Sequence, residues 1–336
     1  MRWRRILVVL AVFVGSVLAA DLALATWSPF LYRKPSRVAH EQSWSGLLHR
    51  PSRIPGLDYE LAPDADLVHR EVRVRTNSLG MRSPEPDAAR APGSLRIGVL
   101  GDSIAFGFGV EDDQTWSAQL QFRLEHAFPG RRIEVLNCAI SGHGTREERL
   151  VLEHKLLPLQ PDLVILGYFL NDPEWEPVQQ LRNHFHAPEW WQHSELARRL
   201  AYSRRKSRIA ELGGGDLLRC YHNPAGEPWL DTVEELRGIK EACAARGVPV
   251  ALMITPLLAP LEDWPSYAYA DLHAQVLGQA RALGYEAYDA TRALAASGKA
   301  PAGLRIDESH PNAEGHALIA AGLADWLQAR SLLGPR

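Results

Sequence analysis

Cysteine is scarce in this chain, and neither sign of charge predominates. Three cysteines, Cys138, Cys220 and Cys243, stand in 336 residues. They have no metal-ligand spacing and form no C-x-x-C pair, so neither a zinc site nor a redox motif is signalled. They read as buried thiols or as one bridge plus a leftover. In an exported protein Cys220 with Cys243 is the pair to test, because Cys138 ends an apolar strand pattern. A formal net charge of −3 leaves no basic excess to neutralise phosphates, which sets nucleic acid aside as a partner. No internal repeat is visible. No histidine groups with carboxylates at metal spacing, so neither a metal nor another cofactor is implied. Hydrophobic residues nevertheless make up 46% of the chain, enough for a sizeable core in one large domain or two ordinary ones.

The N-terminus carries the topological signal. Arg2, Arg4 and Arg5 precede a charge-free, mostly apolar run from Ile6 to Ala20. Asp21 interrupts it, and Ala23-Leu24-Ala25 offers a small-x-small cleavage pattern. Residues 1–27 therefore predict a signal peptide cleaved after Ala25 or a retained transmembrane anchor. A run of about 15 residues is short for a span of roughly 20, but continuation past Asp21 to Trp27 supplies the length. Either form puts the remainder outside the cytoplasm, periplasmic or extracellular, since the positive residues stay inside.

Residues 28–93 are rich in Pro, Arg, Ser and His with weak periodicity. They read as a linker and a small N-terminal subdomain, with one strand suggested by the alternation from Val68 to Thr76. Thr76 to Arg82 supplies turn residues leading onto the main domain. From Leu95 the pattern becomes apolar runs of strand length alternating with helical periodicity, which is how a parallel α/β sheet is written. Strands are expected at Arg96–Leu100, Ile133–Leu136, Leu163–Gly167, Val248–Ile254 and Glu286–Tyr288. Helices are expected around 114–126, 146–156, 232–246, 270–283 and 312–330. Five strands with crossover helices predict a three-layer α/β/α sandwich with a doubly wound, mainly five-stranded parallel sheet over residues 94–332. In such folds ligands bind outside the carboxyl ends of the strands.

Four polar clusters sit where that rule directs attention. Gly101-Asp102-Ser103 follows the first strand; a tight turn there exposes a serine hydroxyl, which matters only if a base can reach it. The loop after the second strand, Asn137 to Gly144, contains Gly142, whose backbone N–H can face an oxyanion unobstructed. Asn171-Asp172 follows the third strand, where the Asn amide can supply a further donor or simply cap a turn. Asp307-Glu308-Ser309-His310-Pro311-Asn312 precedes the last helix, and an Asp three positions before a His on a bent loop can fix its tautomer. Glu308 is an alternative orienter, though two residues from His310 it points away in most conformations. His143 and His316 lie near these clusters but are read as packing or capping residues.

Together these clusters, in this order, resemble the SGNH (GDSL-type) hydrolases over about 95–327, most specifically through the closing run Asp307 to Leu327. The resemblance implies a flavodoxin-like fold and a serine esterase that uses no cofactor. It implies Ser103 as nucleophile, His310 as general base, Asp307 as its orienting carboxylate, and an oxyanion hole from the Ser103 and Gly142 N–H groups and the Asn171 side chain. One departure is Phe169, where the family commonly has glycine in Gly-x-Asn-Asp. Membrane-associated, exported bacterial branches look similar here and in the Asn77-Ser78-Leu79-Gly80 lead-in.

Residues 173–230 form an insertion far longer than a connecting loop. It holds Trp175, Trp190, Trp191 and Trp229 and a basic run from Arg198 to Arg208. The first three tryptophans are candidate substrate-binding residues, as rings that stack on sugars or hold acyl chains. They serve equally as the insertion's own small core, with the basic run a solvated helix face or a contact for anionic lipid. The expected activity is hydrolysis of small-molecule or glycan acyl esters through an acyl-serine. Its rivals are acyl transfer onto an exported polysaccharide and a non-catalytic glycan- or partner-binding envelope protein.

Overall fold

The computed structural model describes residues 2–27, 44–69, 71–173 and 194–334. Helix α1 (Arg2–Trp27) runs straight through Asp21, so the carboxylate expected to interrupt the apolar run lies inside the helix. Its apolar side chains from Ile6 to Leu18 are exposed, and it is long and apolar enough to cross a membrane.

After α2 (Trp44–Leu48) come two antiparallel hairpins, β1 (His49–Pro51) with β2 (Tyr59–Leu61), and β3 (Asp66–His69) with β4 (Val72–Arg75). The single strand expected across Val68–Thr76 is therefore two, and the chain reverses at Glu71, which takes a φ of 69°. The first hairpin is written in strands of three residues, too short to show alternation; its Tyr59 and Leu61, with Leu48 at the end of α2, join the main core.

The main sheet is built from β5 (Leu95–Gly101), β6 (Ile133–Asn137), β7 (Leu163–Tyr168), β8 (Val250–Ile254) and β9 (Glu286–Asp289). Every pairing is parallel, in the order β6-β5-β7-β8-β9. All residues of β5 to β8 are buried, the consequence of a parallel sheet covered on both faces. Between the strands lie α3 (Ser103–Phe106), α4 (Trp116–Ala127), α5 (Thr145–Val151), α6 (Glu195–Gly213), α7 (Leu217–Tyr221), α8 (Glu227–Ala244) and α9 (Ala270–Ala282). Helices α10 (Thr291–Ala296) and α11 (Ala313–Ala329) close the chain. Helix α4 packs on α11, and α5 on α8. Right-handed crossovers place these pairs on opposite faces and give the three layers.

Local chemistry sets the helix starts. Thr115 caps α4 through the Ala118 N–H, and Asn312 caps α11 through the Gly315 N–H. The helix expected over 146–156 shortens, passing through a π turn at Leu152–Leu156 into a tight turn at Leu157–Leu159 that carries a proline. The helix expected from 232 begins earlier, at Glu227, inside the stretch read as insertion. Trp229 on that helix is buried in the main core. All three cysteines are buried and free. The strand order reverses between β5 and β7, so the crevice for a ligand opens at their carboxyl ends.

Candidate active site

Strand β5 ends on Gly101 at a φ of +145°, and a Cβ there would lie 2.5 Å from the Ala105 Cβ and 2.7 Å from the Gly167 carbonyl oxygen. Only glycine lets the chain turn this sharply against β7. The turn delivers Ser103 to the first position of α3. Asp102 caps this helix, its Oδ1 accepting from the Ile104 N–H at 2.8 Å.

On the far side of the crevice the turn 306–310 is tied by the Ile306 N–H donating to the His310 carbonyl at 2.8 Å. Asp307 sits inside it and accepts from the Ser309 and His310 backbone N–H groups at 3.0 and 2.9 Å. His310 Nδ1 lies 2.9 Å from both Asp307 carboxylate oxygens, and its Nε2 lies 2.9 Å from Ser103 Oγ. Burial works to raise the Asp307 pKa, but the two backbone N–H donors and the imidazole outweigh it and hold the carboxyl below its ordinary range. An ionised Asp307 fixes the tautomer with its proton on Nδ1, leaving Nε2 free to accept the serine proton. Glu308 is exposed, and its backbone carbonyl instead accepts from the Leu258 N–H.

The other two clusters flank the serine. Gly142 adopts a φ of +82° in a loop held by the Ile140 N–H donating to the Gly101 carbonyl at 3.0 Å. Gly144 touches the next loop so closely that a Cβ would lie 2.5 Å from the Asp172 carbonyl oxygen. Asn171 is half-buried at the head of β7, with its Oδ1 buried and unbonded among the described residues. Phe169 is buried, and its N–H donates to Asp172 Oδ2 at 3.2 Å.

Three buried acids lie within electrostatic reach of one another: Asp102, next to the serine in the chain, with Glu148 and Asp172. Burial raises the pKa of each, and mutual repulsion raises Glu148 and Asp172 further.

Three contributors escaped the sequence reading. Tyr59, from the first hairpin, donates its hydroxyl to the Ser141 carbonyl at 2.8 Å and packs its ring on His143 at 4.9 Å. Phe108 stacks on His310 with ring centroids 4.6 Å apart, and His69 lies behind it at 5.8 Å. Buried Arg82 donates to the Gly107 and Val110 carbonyls at 2.6 Å each, clamping the end of α3. The proximity of Phe108 to Ser103 in sequence was the one available cue. His316 is buried and accepts from the Trp116 N–H at 3.1 Å, with burial pushing its pKa down to about 3. It packs, as expected. Trp175, Trp190 and Trp191 lie outside the described residues.

Residues 99–318 match the sequence profile of the GDSL-like Lipase/Acylhydrolase family. The chain belongs to this family. No curated protein matches the chain. Among solved structures, the GDSL-type fold here is similar to an acetylxylan esterase from Geobacillus stearothermophilus at 20% identity and a TM-score of 0.47, covering 73% of this chain and 96% of that one. It is also similar to TesA, at 20% identity and a TM-score of 0.44, covering 71% and 100%. A two-domain esterase active on acetylated mannans aligns at 18% identity and a TM-score of 0.45 over 70% of this chain. This chain spans about half, 49%, of that protein's length.

Proposed function

We propose that the enzyme cleaves acyl esters through a covalent acyl-serine on Ser103. The observation that carries this reading is the continuous relay from Asp307 through His310 to the Ser103 hydroxyl. Ser103 Oγ attacks the ester carbonyl carbon while its proton passes to His310 Nε2. The resulting oxyanion rests on the Ser103 and Gly142 N–H groups and the Asn171 amide. Collapse of the tetrahedral intermediate expels the alcohol, which takes the proton from His310. Water then adds to the acyl-serine with His310 again as base, releasing the acid and restoring the serine. The substrate is an acyl ester on a small molecule or a glycan outside the cytoplasm. Helix α1 serves as a retained anchor, and residues 28–93 join it to the catalytic domain over 94–332.

The test is covalent labelling of the full-length, detergent-solubilised enzyme with a fluorophosphonate probe, comparing wild type with Ser103→Ala. Wild type is expected to label and the variant not, with circular dichroism unchanged. A folded Ser103→Ala protein that still labels and still hydrolyses ester would overturn the assignment.

A further inference from the structure

The chain leaves the helix of Ser103 through Gly107-Phe108-Gly109. This turn is pinned on the serine side by the Phe108 N–H, which donates to the Ser103 carbonyl at 3.0 Å. On the histidine side it packs so closely on the turn 306–310 that a Cβ at Gly109 would lie 2.7 Å from Ile306 Cδ1. The β3–β4 hairpin holds the residues that follow: the Arg73 N–H donates to Glu111 Oε2 at 3.0 Å, and Arg75 pairs with Asp112 at 2.9 Å. With the loop fixed at three points, the Phe108 ring has little choice of place. It lies against the imidazole of His310, with ring centroids 4.6 Å apart and planes tilted by 40°, and His69 from the end of β3 packs on it at 5.8 Å.

This contact sets an aromatic quadrupole beside the base of the proposed reaction. The face of such a ring is electron-rich and attracts a cation within about 6 Å of its centre. A neutral imidazole gains little from it. When His310 Nε2 takes the Ser103 proton the imidazole becomes a cation, and the attraction appears only then. Asp307 already meets Nδ1 at 2.9 Å. Nε2 has to stay open to the serine and to the leaving alcohol, so a second fixed carboxylate there would obstruct the reaction. A ring packed on the imidazole stabilises the cation while leaving both nitrogens to their hydrogen bonds.

We propose that Phe108 is a positioning residue whose ring face stabilises the His310 imidazolium as it forms. An interaction stronger in the transition state than in the ground state raises kcat and leaves KM alone. The proposal rests on the reading of His310 as the general base that serves Ser103. It also gives the β3–β4 hairpin a task in the reaction, that of holding the loop from which the ring projects.

The test replaces Phe108 in the full-length, detergent-solubilised enzyme by mono-, di- and trifluorinated phenylalanine, which keep the ring's shape while draining negative charge from its face. Hydrolysis of a soluble ester is read together with the rate of fluorophosphonate labelling at Ser103, a step that does not depend on product release. Each added fluorine is expected to lower both kcat and the labelling rate, reaching roughly three- to tenfold with three, while KM and thermal unfolding stay at wild-type values. Phe108→Leu, which keeps apolar bulk without a ring, is expected to lose at least as much. Rates that hold level across the series, or a Phe108→Leu enzyme as fast as wild type, overturn the proposal by making the ring mere packing. Rates that rise with fluorine overturn it too, because they put the imidazolium against the ring's positive edge. A wild-type enzyme that labels at Ser103 but shows no fluorine trend refutes only the role of Phe108. One that neither labels nor hydrolyses ester refutes the general-base reading, and the proposal with it.

Discussion

A carboxylate, an imidazole and a hydroxyl line up twice in this fold. In the crevice, Asp307, His310 and Ser103 do so at 2.9 Å each. Between β9 and the loop after β8, Asp289 lies 3.2 Å from His273 Nδ1, and Tyr267 Oη lies 2.9 Å from His273 Nε2. The order of groups is the same, yet the surroundings differ. The His310 side chain is 18% exposed and Asp307 38%, against 2% for His273 and 19% for Asp289. The Tyr267 hydroxyl also accepts from the Leu257 N–H at 3.1 Å, and burial drives its pKa upward, so the proton stays on the phenol. On the proposed function, a relay of hydrogen bonds does not by itself make a nucleophile; access for a substrate and donors for the developing oxyanion must be built around it. The sealed relay has structural work instead. It fixes Leu257, and the next residue, Leu258, donates its N–H to the Glu308 carbonyl in the turn that carries His310.

Substitutions sharpen this contrast. The largest effect is expected from His310→Ala, which should lower kcat on a soluble ester by roughly four to six orders of magnitude with little change in thermal stability. His273→Ala should do the reverse, costing about 2–4 kcal/mol in urea unfolding because Asp289 and Tyr267 lose a buried partner and a cavity opens. Its kcat should fall less than about tenfold. If His273→Ala silenced the enzyme while leaving its stability intact, the division between the two relays would be wrong.

The smallest effect concerns the buried acids. Glu148 and Asp172 keep pKa values well above their ordinary range in the folded protein, so the folded state binds more protons than the unfolded chain above about pH 4. The stability they contribute is whole below their unfolded pKa and is lost as pH rises through the folded one. Glu148→Gln should flatten this decline, gaining about 1 kcal/mol over wild type at about pH 8 relative to about pH 5 in urea titrations. A variant that tracks wild type across that range would mean that Glu148 is ionised in the fold.

The sheet was legible because buried parallel strands are written as unbroken apolar runs, as in Leu95–Gly101 and Leu163–Tyr168. The grouping of Ser103, His310 and Asp307 was legible because each sits in a short loop at a strand or helix end, where topology leaves little choice of direction. What supports them was not. Tyr59 reaches Ser141 from 82 residues away, and Asp21 reaches Ser194 from 173. Strands of three residues carry too little periodicity to reveal such partners. Asp21 read as a break in an apolar run because the groups that satisfy it, on Ser194 and Leu196, lie 173 and 175 residues away in sequence.

The Tyr59 contact bears on where the working enzyme begins. Family likeness starts at residue 99, which invites trimming the chain to the sheet. But the loop that holds Gly142 leans on a hydroxyl donated from the hairpin before it, and Arg82 braces the helix of Ser103 from the same side. The preceding stretch is thus a splint grown onto the candidate site, and on the proposed function a chain cut at the first sheet strand would retain the proposed reacting groups while losing the contacts that hold their loops in register.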